Sequence, residues 1–112
     1  MTVLGIDLGT TNSCMAAVQG DQPEIVPNAE GERTTPSVEA FTKDGERLVG
    51  TIALRQAAMN PGRTITSVKR HMGSAWSTTV DGQEFSAPQL SAMLLRKLRT
   101  DAERFLGQPI TD

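Results

Sequence analysis

The residues with the clearest chemical potential lie in a turn near the start of the chain, within residues 5–13. Asp7 ends a short apolar run, and Gly9 lets the backbone turn tightly and approach a ligand closely. Such a turn can present backbone N–H groups to phosphate oxygens, while Asp7 can hold magnesium directly or through its waters. The hydroxyl and amide side chains of the turn belong to Thr10, Thr11 and Asn12.

This turn has two other interpretations. A helix-based phosphate loop is excluded, because no Gly-Lys-Ser/Thr sequence follows and no helix is predicted to begin here. An ordinary polar hairpin turn remains open, because short motifs of this kind also occur without a ligand.

A second candidate for chemistry is Lys69. A lysine can neutralise a transferring phosphoryl group or position the attacking water, although the local sequence alone favours a solvated surface lysine. His71 is the single histidine, and no Cys/His spacing typical of a metal site accompanies it, so we interpret it as structural or exposed. Cys14 is predicted to be a small buried hydrophobic residue, and its role stays open.

Composition limits the class of protein. The chain has 112 residues, 11 Lys+Arg and 13 Asp+Glu, for a net charge of −2. This length fits one domain, and the mild acidity argues against a nucleic-acid partner. No apolar run reaches membrane length and no signal peptide is predicted, so we expect no membrane association. A single cysteine suits a reducing compartment, which predicts a cytoplasmic protein.

The elements around the turn are predicted to be strands. Apolar runs separated by tight turns predict an antiparallel meander over residues 3–7, 13–18 and 24–26. Prolines, a glycine and polar side chains predict a loop over 27–37. Residues 38–42 and 46–49 are predicted to pair around a turn that contains Asp44 and Gly45.

The second half of the chain is predicted to be more helical. Composition predicts a helix over 51–59, residues 64–72 fit either a helix or a strand, and residues 78–85 predict a hairpin. The strongest prediction is a helix over 87–106, with Ser86 and Gln89 as a capping box. Gly107 suits its C-terminal stop. Its predicted apolar stripe consists of Leu90, Leu94, Leu98, Ala102 and Phe105.

Several blocks of the sequence resemble, in order, the heat-shock protein 70 chaperones of the DnaK type. The first block is the turn segment 5–13, and residues 69–77 are most similar to actinobacterial versions. The resemblance runs through the whole chain. The other matching blocks are residues 28–38, Val49-Gly50, Gln56-Ala57, Asn60-Pro61, Thr64, Lys69-Arg70 with Gly73, residues 87–92, Ala102-Glu103 and Leu106-Gly107.

This resemblance implies an α/β fold, α+β within these residues, that is part of the actin-like, ribonuclease H-like ATPase fold. It divides the chain into a phosphate-binding hairpin of the first lobe (1–37), an inserted small subdomain (38–85) and a long helix that returns to the lobe (86–112). In this family the strand that begins near Ile110 continues into the rest of the nucleotide-binding domain, so the resemblance implies that the chain is an N-terminal fragment of that domain.

The resemblance also implies roles for individual residues. Asp7 would face a magnesium ion through water, and Lys69 would reach the γ-phosphate and the water that attacks it. These two are the expected catalytic residues, and Arg70 would face the cleft between the lobes. The residues expected to contact the phosphates of ATP are Gly9, Thr10, Thr11 and Asn12.

The implied activity is that of an ATP-dependent chaperone. Members of the family hydrolyse ATP to ADP and phosphate, with magnesium and with potassium as a further possible ion, and thereby control the binding of unfolded polypeptides. A J-domain co-chaperone and a nucleotide-exchange factor are the implied partners. Because the chain holds one phosphate turn, we expect it to be inactive alone.

One alternative function stays open, and a second is disfavoured. The chain could act as a non-catalytic interaction module that contacts co-chaperones. A sugar kinase or actin relative shares the phosphate turn but lacks the blocks at 33–37 and 69–70. We also expect self-association, because the strand at 3–7 would have a bare edge that invites pairing with another chain.

Overall fold

The computed structural model describes residues 2–112, which form nine strands, two α-helices and three short 3₁₀ helices. The strands are β1 (Val3–Leu8), β2 (Asn12–Gln19), β3 (Gln22–Ile25), β4 (Thr34–Pro36), β5 (Val38–Phe41), β6 (Arg47–Val49), β7 (Thr64–Thr66), β8 (Ser77–Val80) and β9 (Gln83–Ser86). The α-helices are α1 (Thr51–Arg55) and α2 (Ala87–Leu106), and the 3₁₀ helices are Ala57–Met59, Pro61–Arg63 and Val68–His71.

The first sheet is built around β2. The predicted meander is confirmed, because β1 pairs antiparallel with β2 and β3 pairs antiparallel with the far end of β2. The predicted loop over 27–37 is wrong at its end, where β4 pairs with β2 beside the turn. Strand β4 has three residues, too few for a periodic pattern, and it forms because the edge of β2 supplies its backbone partners.

A second sheet has the order β6-β5-β7, and a separate hairpin joins β8 to β9. Both predicted strand pairs are confirmed. The hairpin turns at Asp81 and Gly82, whose φ angles of 53° and 78° suit the tight turn that an Asp-Gly pair favours.

In the middle region one predicted helix is too long and one open assignment is resolved. The helix expected over 51–59 ends at Arg55 and continues only as a 3₁₀ turn, with Gln56 between the two elements. Residues 64–72, which fitted either state, contain both, since β7 is followed by the 3₁₀ helix Val68–His71. The change occurs at Ser67, whose φ of 55° ends the strand.

Helix α2 has the predicted bounds and ends. The Ser86 side chain accepts a hydrogen bond from the Gln89 backbone, the Gln89 side chain accepts one from the Ser86 backbone, and Gly107 ends the helix with a φ of 70°. The predicted stripe is buried except for Phe105, which is 56% exposed, because Leu106, four residues after Ala102, continues the buried face instead.

The core forms three clusters: one consists of Val38, Ala40 and Ala53, and the other two share α2. Its C-terminal half packs on the first sheet, and its N-terminal half packs on β5, the β8–β9 hairpin and Val68. Helix α2 therefore packs against strands β1 and β2 of the first sheet and against β5 of the second sheet, and so joins the two sheets. The core residues in α2 are Ala87, Leu90, Leu94, Leu98 and Ala102.

The end of the described chain lies along β1. The Leu4 N–H donates to the Asp112 carbonyl over 2.8 Å, and the Asp112 N–H donates to the Thr2 carbonyl over 3.2 Å. This is the bonding of a parallel pair, so Asp112 begins to cover the free edge of β1. No helix in the described part of the chain is long and apolar enough to span a membrane.

Candidate functional site

The turn between β1 and β2 requires glycine at position 9. The two strands remain paired up to Leu8 and Ser13, so four residues reverse the chain. A Cβ atom at Gly9 would collide with the backbone carbonyl of Asn12, which cannot move without disrupting the start of β2. The Gly9 N–H donates to the Asp7 carbonyl over 3.2 Å. The absence of a side chain therefore makes this turn possible.

The tip of the turn offers free hydrogen-bond donors. Within residues 2–112, the backbone N–H groups of Thr10 and Thr11 have no acceptor. The side chains of Thr11 and Asn12 are exposed and that of Thr10 is half-buried. Successive N–H groups without partners form a concave donor surface for an anion such as phosphate. The exposed hydroxyl and amide groups add further donors beside them.

Ser37 holds the turn in this shape. Its hydroxyl donates to the Gly9 carbonyl over 2.8 Å, and its N–H donates to the Thr11 carbonyl over 2.9 Å. Because the single Ser37 hydroxyl proton is used there, the buried Ser13 hydroxyl must donate the 3.0 Å bond that joins the two serines. Sequence reasoning placed Ser37 in a loop and gave it no role, since its partners lie in a different hairpin.

A small cavity brings Lys69 to the turn. Its volume is about 10 Å³, the space of a single water molecule, and its walls include Gly9, Ser37, Glu39 and Lys69. Lys69 and Arg70 lie on the 3₁₀ helix Val68–His71, with both side chains exposed. Two distant candidates, Gly9 and Lys69, therefore share one cavity.

The other candidate residues lie around this cavity. Thr10, Thr11 and Asn12 line a second, larger cavity of about 300 Å³ that also has Ser37 in its wall. Asp7, which is exposed at the end of β1, and Arg70 line neither of these two cavities. In the part of the chain that the structure describes, no three His, Cys, Asp or Glu residues are placed to hold a metal ion.

His71 and Cys14 are two further residues whose surroundings were predicted, and the prediction is confirmed only for His71. His71 stacks on Trp76, with ring centroids 4.2 Å apart, which gives it a structural role. Cys14, predicted to be buried, is a free thiol that is only half-buried.

Glu39 is the functional candidate that sequence reasoning missed. It lies in β5, is 1% exposed, and its Oε2 atom is buried without a hydrogen-bond partner in the described chain. Burial in apolar surroundings disfavours the charged carboxylate and raises the pKa of Glu39 from 4.5 to about 8. The sequence signal was a lone acidic residue between Val38 and Ala40 in an otherwise apolar strand.

Comparison with known families gives one finding. The family model described as Hsp70 protein matches residues 3–81 and 74–112, which together span nearly the whole chain. The mixed α/β fold, with several strands in sheets and one long C-terminal helix, is consistent with part of the actin-like ATPase fold of this family. The predicted fold class is therefore confirmed.

Proposed function

We propose that this chain, which belongs to the Hsp70 family, binds the phosphates of ATP at the β1–β2 turn as part of an ATP-dependent chaperone. The observation that carries the proposal is the pair of free N–H groups at Thr10 and Thr11, held at the tip of a turn that only glycine at position 9 permits. Family membership independently supports a chaperone-type nucleotide-binding domain.

Each candidate residue then has a chemical role. The N–H and side-chain donors of the turn hold the β- and γ-phosphate oxygens, with Gly9 allowing the close approach. Asp7 supplies an exposed carboxylate that can bind the waters of a magnesium ion, which neutralises phosphate charge when it is bound. Lys69 lines the same cavity as Gly9, and its ammonium is proposed to stabilise charge on the γ-phosphate. Arg70 is proposed to face the cleft.

The finer identity rests on the sequence blocks. We propose a DnaK-type chaperone similar to actinobacterial versions that acts in protein folding and stress response in the cytoplasm. Unfolded polypeptides, a J-domain co-chaperone and a nucleotide-exchange factor are its proposed partners. The 112 residues contain one phosphate turn, so we expect weak binding of magnesium-ATP or magnesium-ADP and no steady turnover by this chain alone.

Amide NMR titration of the chain with magnesium-ATP tests the phosphate site. We expect the signals of Thr10 and Thr11 to shift at millimolar nucleotide, and the variant Gly9→Ala to lose these shifts. Gly62→Ala is the matched control, because a Cβ atom there meets nothing within 4 Å and its φ is not positive. Unmoved turn amides in the original chain would contradict the proposal, and steady ATP hydrolysis would contradict the expected inactivity.

A second candidate function is self-association through the edge of β1. Asp112 pairs beside Leu4, and next to this pair a groove of about 290 Å³ is lined by apolar side chains of Leu4, Ile6, Leu95 and Ile110. An accessible strand edge beside an apolar groove favours pairing with another strand. Light scattering over a range of concentrations should show dimers or larger species. A clean monomer at high concentration would rule this candidate out.

A further inference from the structure

The unusual feature that the phosphate site leaves unexplained is Glu39. Its neighbours across the sheet are Val49 on β6 and Ile65 on β7, so neither adjacent strand offers a polar partner. On the same face of β5, the next residue that points inward is Phe41, which stacks on Phe85. A buried carboxyl group with an unsatisfied oxygen is rare in folded proteins and calls for an explanation.

The cavity beside Glu39 contains two hydroxyl groups that are already engaged. The Ser37 hydroxyl donates to the Gly9 carbonyl, and the Ser91 hydroxyl donates to the Met72 sulfur over 3.6 Å. Neither hydroxyl proton is therefore directed at the carboxyl group of Glu39.

Lys69 is the remaining polar residue in the cavity wall. Within residues 2–112 it takes part in no ion pair, and its side chain is exposed and able to change conformation. Among the residues that line the cavity or pair with Glu39 across the sheet, Lys69 carries the only other charge. Its ammonium can thus approach either the turn at Gly9 or the carboxyl group of Glu39.

We propose that Glu39 is a positioning residue for Lys69, whose ammonium moves between the phosphate turn and the cavity beside the Glu39 carboxylate. When Glu39 is protonated it has no net charge, and Lys69 is free to face an anion in the turn. When Glu39 is ionised, its attraction in a low-dielectric cavity draws the ammonium inward. The part that concerns the turn rests on the proposed function, whereas the pairing of the two side chains does not.

This movement of Lys69 couples anion binding at the turn to the uptake of a proton by Glu39. An anion that draws Lys69 to the turn leaves Glu39 without a counter-charge, so Glu39 takes up a proton from solvent. In the reverse direction, loss of that proton draws Lys69 back into the cavity. The raised pKa of Glu39 supports this scheme, because it places the proton exchange close to neutral pH.

NMR of the chain without nucleotide tests the pairing directly. The ¹⁵N signal of the Lys69 ammonium and the ¹³C signal of the Glu39 carboxyl group are followed from pH 5 to 9.5. We expect both signals to change in one common step. Glu39→Gln should remove the step from Lys69, whereas Glu46→Gln, which changes an exposed glutamate, should keep it. A Lys69 signal that is identical in the original chain and in Glu39→Gln overturns the proposal.

A second variant guards against misfolding of Glu39→Gln. Lys69→Met alters an exposed side chain, and it should move the titration of the Glu39 carboxyl group to higher pH because the carboxylate loses its counter-charge. A titration that stays unchanged in Lys69→Met also overturns the proposal.

Inorganic phosphate then separates this inference from the proposed function. If phosphate binds the turn, the amides of Thr10 and Thr11 shift and the apparent pKa of Glu39 rises in the original chain but not in Lys69→Met. If these amides do not move while the common pH step persists, the pairing is supported and the proposed phosphate site is contradicted.

Discussion

Two buried carboxyl groups lie in this molecule in opposite states of hydrogen bonding. Asp101 on α2 is 5% exposed, and its Oδ2 atom accepts from the Ala29 N–H over 3.0 Å and from the Lys97 ammonium over 2.7 Å. Glu39 on β5 is 1% exposed, and its Oε2 atom has no partner in the described chain. Both carboxyl groups are therefore buried, but the Oδ2 atom of Asp101 has hydrogen-bond partners and the Oε2 atom of Glu39 has none in the described chain.

The difference indicates different roles. Asp101 fastens α2 to the loop before β4, where Asn28 also accepts hydrogen bonds from the Glu30 and Glu32 N–H groups. Such a carboxylate stabilises the fold because its charge and its acceptor are both satisfied. An unpartnered carboxyl group lowers stability, and its place in the cavity wall beside Lys69 and Gly9 connects it with the candidate site.

The largest expected effect comes from Glu39→Gln and depends on pH. Because the pKa of Glu39 is raised from 4.5 to about 8, the folded chain binds the proton more tightly than the unfolded chain. The contribution of Glu39 to stability is therefore largest below pH 4.5 and is lost as the pH rises through 8. The variant does not titrate, so its stability relative to the original chain should increase between pH 5 and 8.5, by about 3 to 5 kcal/mol.

Urea unfolding of both proteins at pH 5, 7 and 8.5 measures this change. Glu46→Gln serves as the control, because Glu46 is exposed and its replacement should leave the pH dependence unaltered. Parallel stability curves for the original chain and Glu39→Gln would show that Glu39 is not a buried, titrating group.

Replacing Asp101 is expected to lower stability, in contrast to the gain expected for Glu39→Gln at high pH. Asp101→Ala leaves the Ala29 N–H without an acceptor and removes a 2.7 Å partner from Lys97, which keeps Glu30 at 3.2 Å. We expect a loss of about 2 to 3 kcal/mol in the free energy of unfolding. Asp101→Asn, which retains an acceptor oxygen, should lose about half as much. Urea unfolding at pH 7 measures these losses. If the Asp101→Ala chain is as stable as the original, Asp101 does not stabilise the fold and its contrast with Glu39 is contradicted.

Ser37→Ala is expected to have an intermediate effect, because it removes the hydrogen bonds of the hydroxyl to Gly9 and Ser13 while the backbone bond to Thr11 remains. We expect a loss of about 1 to 2 kcal/mol and shifted amide NMR signals at Thr10 and Thr11. Ser13→Ala keeps the bond to the Gly9 carbonyl and should perturb these amides less. Equal shifts in the two variants would mean that Ser37 does not hold the turn through Gly9.

The smallest effect is expected for Lys69→Met. At pH 6 Glu39 is protonated and Lys69 is exposed, so stability should change by less than about 0.5 kcal/mol. At pH 9 the ionised carboxylate loses its cation, and the variant should be about 1 kcal/mol less stable than the original chain. Thermal unfolding at both pH values measures this stability difference. In a Glu39→Gln background, Lys69→Met should cause no additional loss of stability at pH 9.

Features set by neighbouring residues were the most predictable. The bounds of α2 follow from a capping box at Ser86 and a left-handed glycine at Gly107, signals that act within one helical turn. The hairpin at Asp81-Gly82 likewise depends on positive φ angles that few residues adopt, and the turn between β1 and β2 depends on the absence of a Cβ atom at Gly9. These local constraints hold whatever the rest of the chain does.

Features set by distant residues were not predictable from the pattern. Strand β4 depends on the free edge of β2. The hydrogen bond from the Ser37 hydroxyl to the Gly9 carbonyl joins residues that are 28 positions apart. The burial of Glu39 was hidden for a similar reason. A charged residue in a strand normally marks the solvent face, but β5 is a central strand with both faces covered.

The sequence alone was enough to identify the turn, its glycine, the long helix and the family resemblance, because each is encoded in short, contiguous segments. Only the tertiary structure showed that Lys69 shares a cavity with Gly9, that Asp101 is paired and that Glu39 is not. The physical reason is that dihedral preferences and capping act over a few residues. Desolvation and pairing instead depend on which side chains the packing of α2 against the sheets brings together.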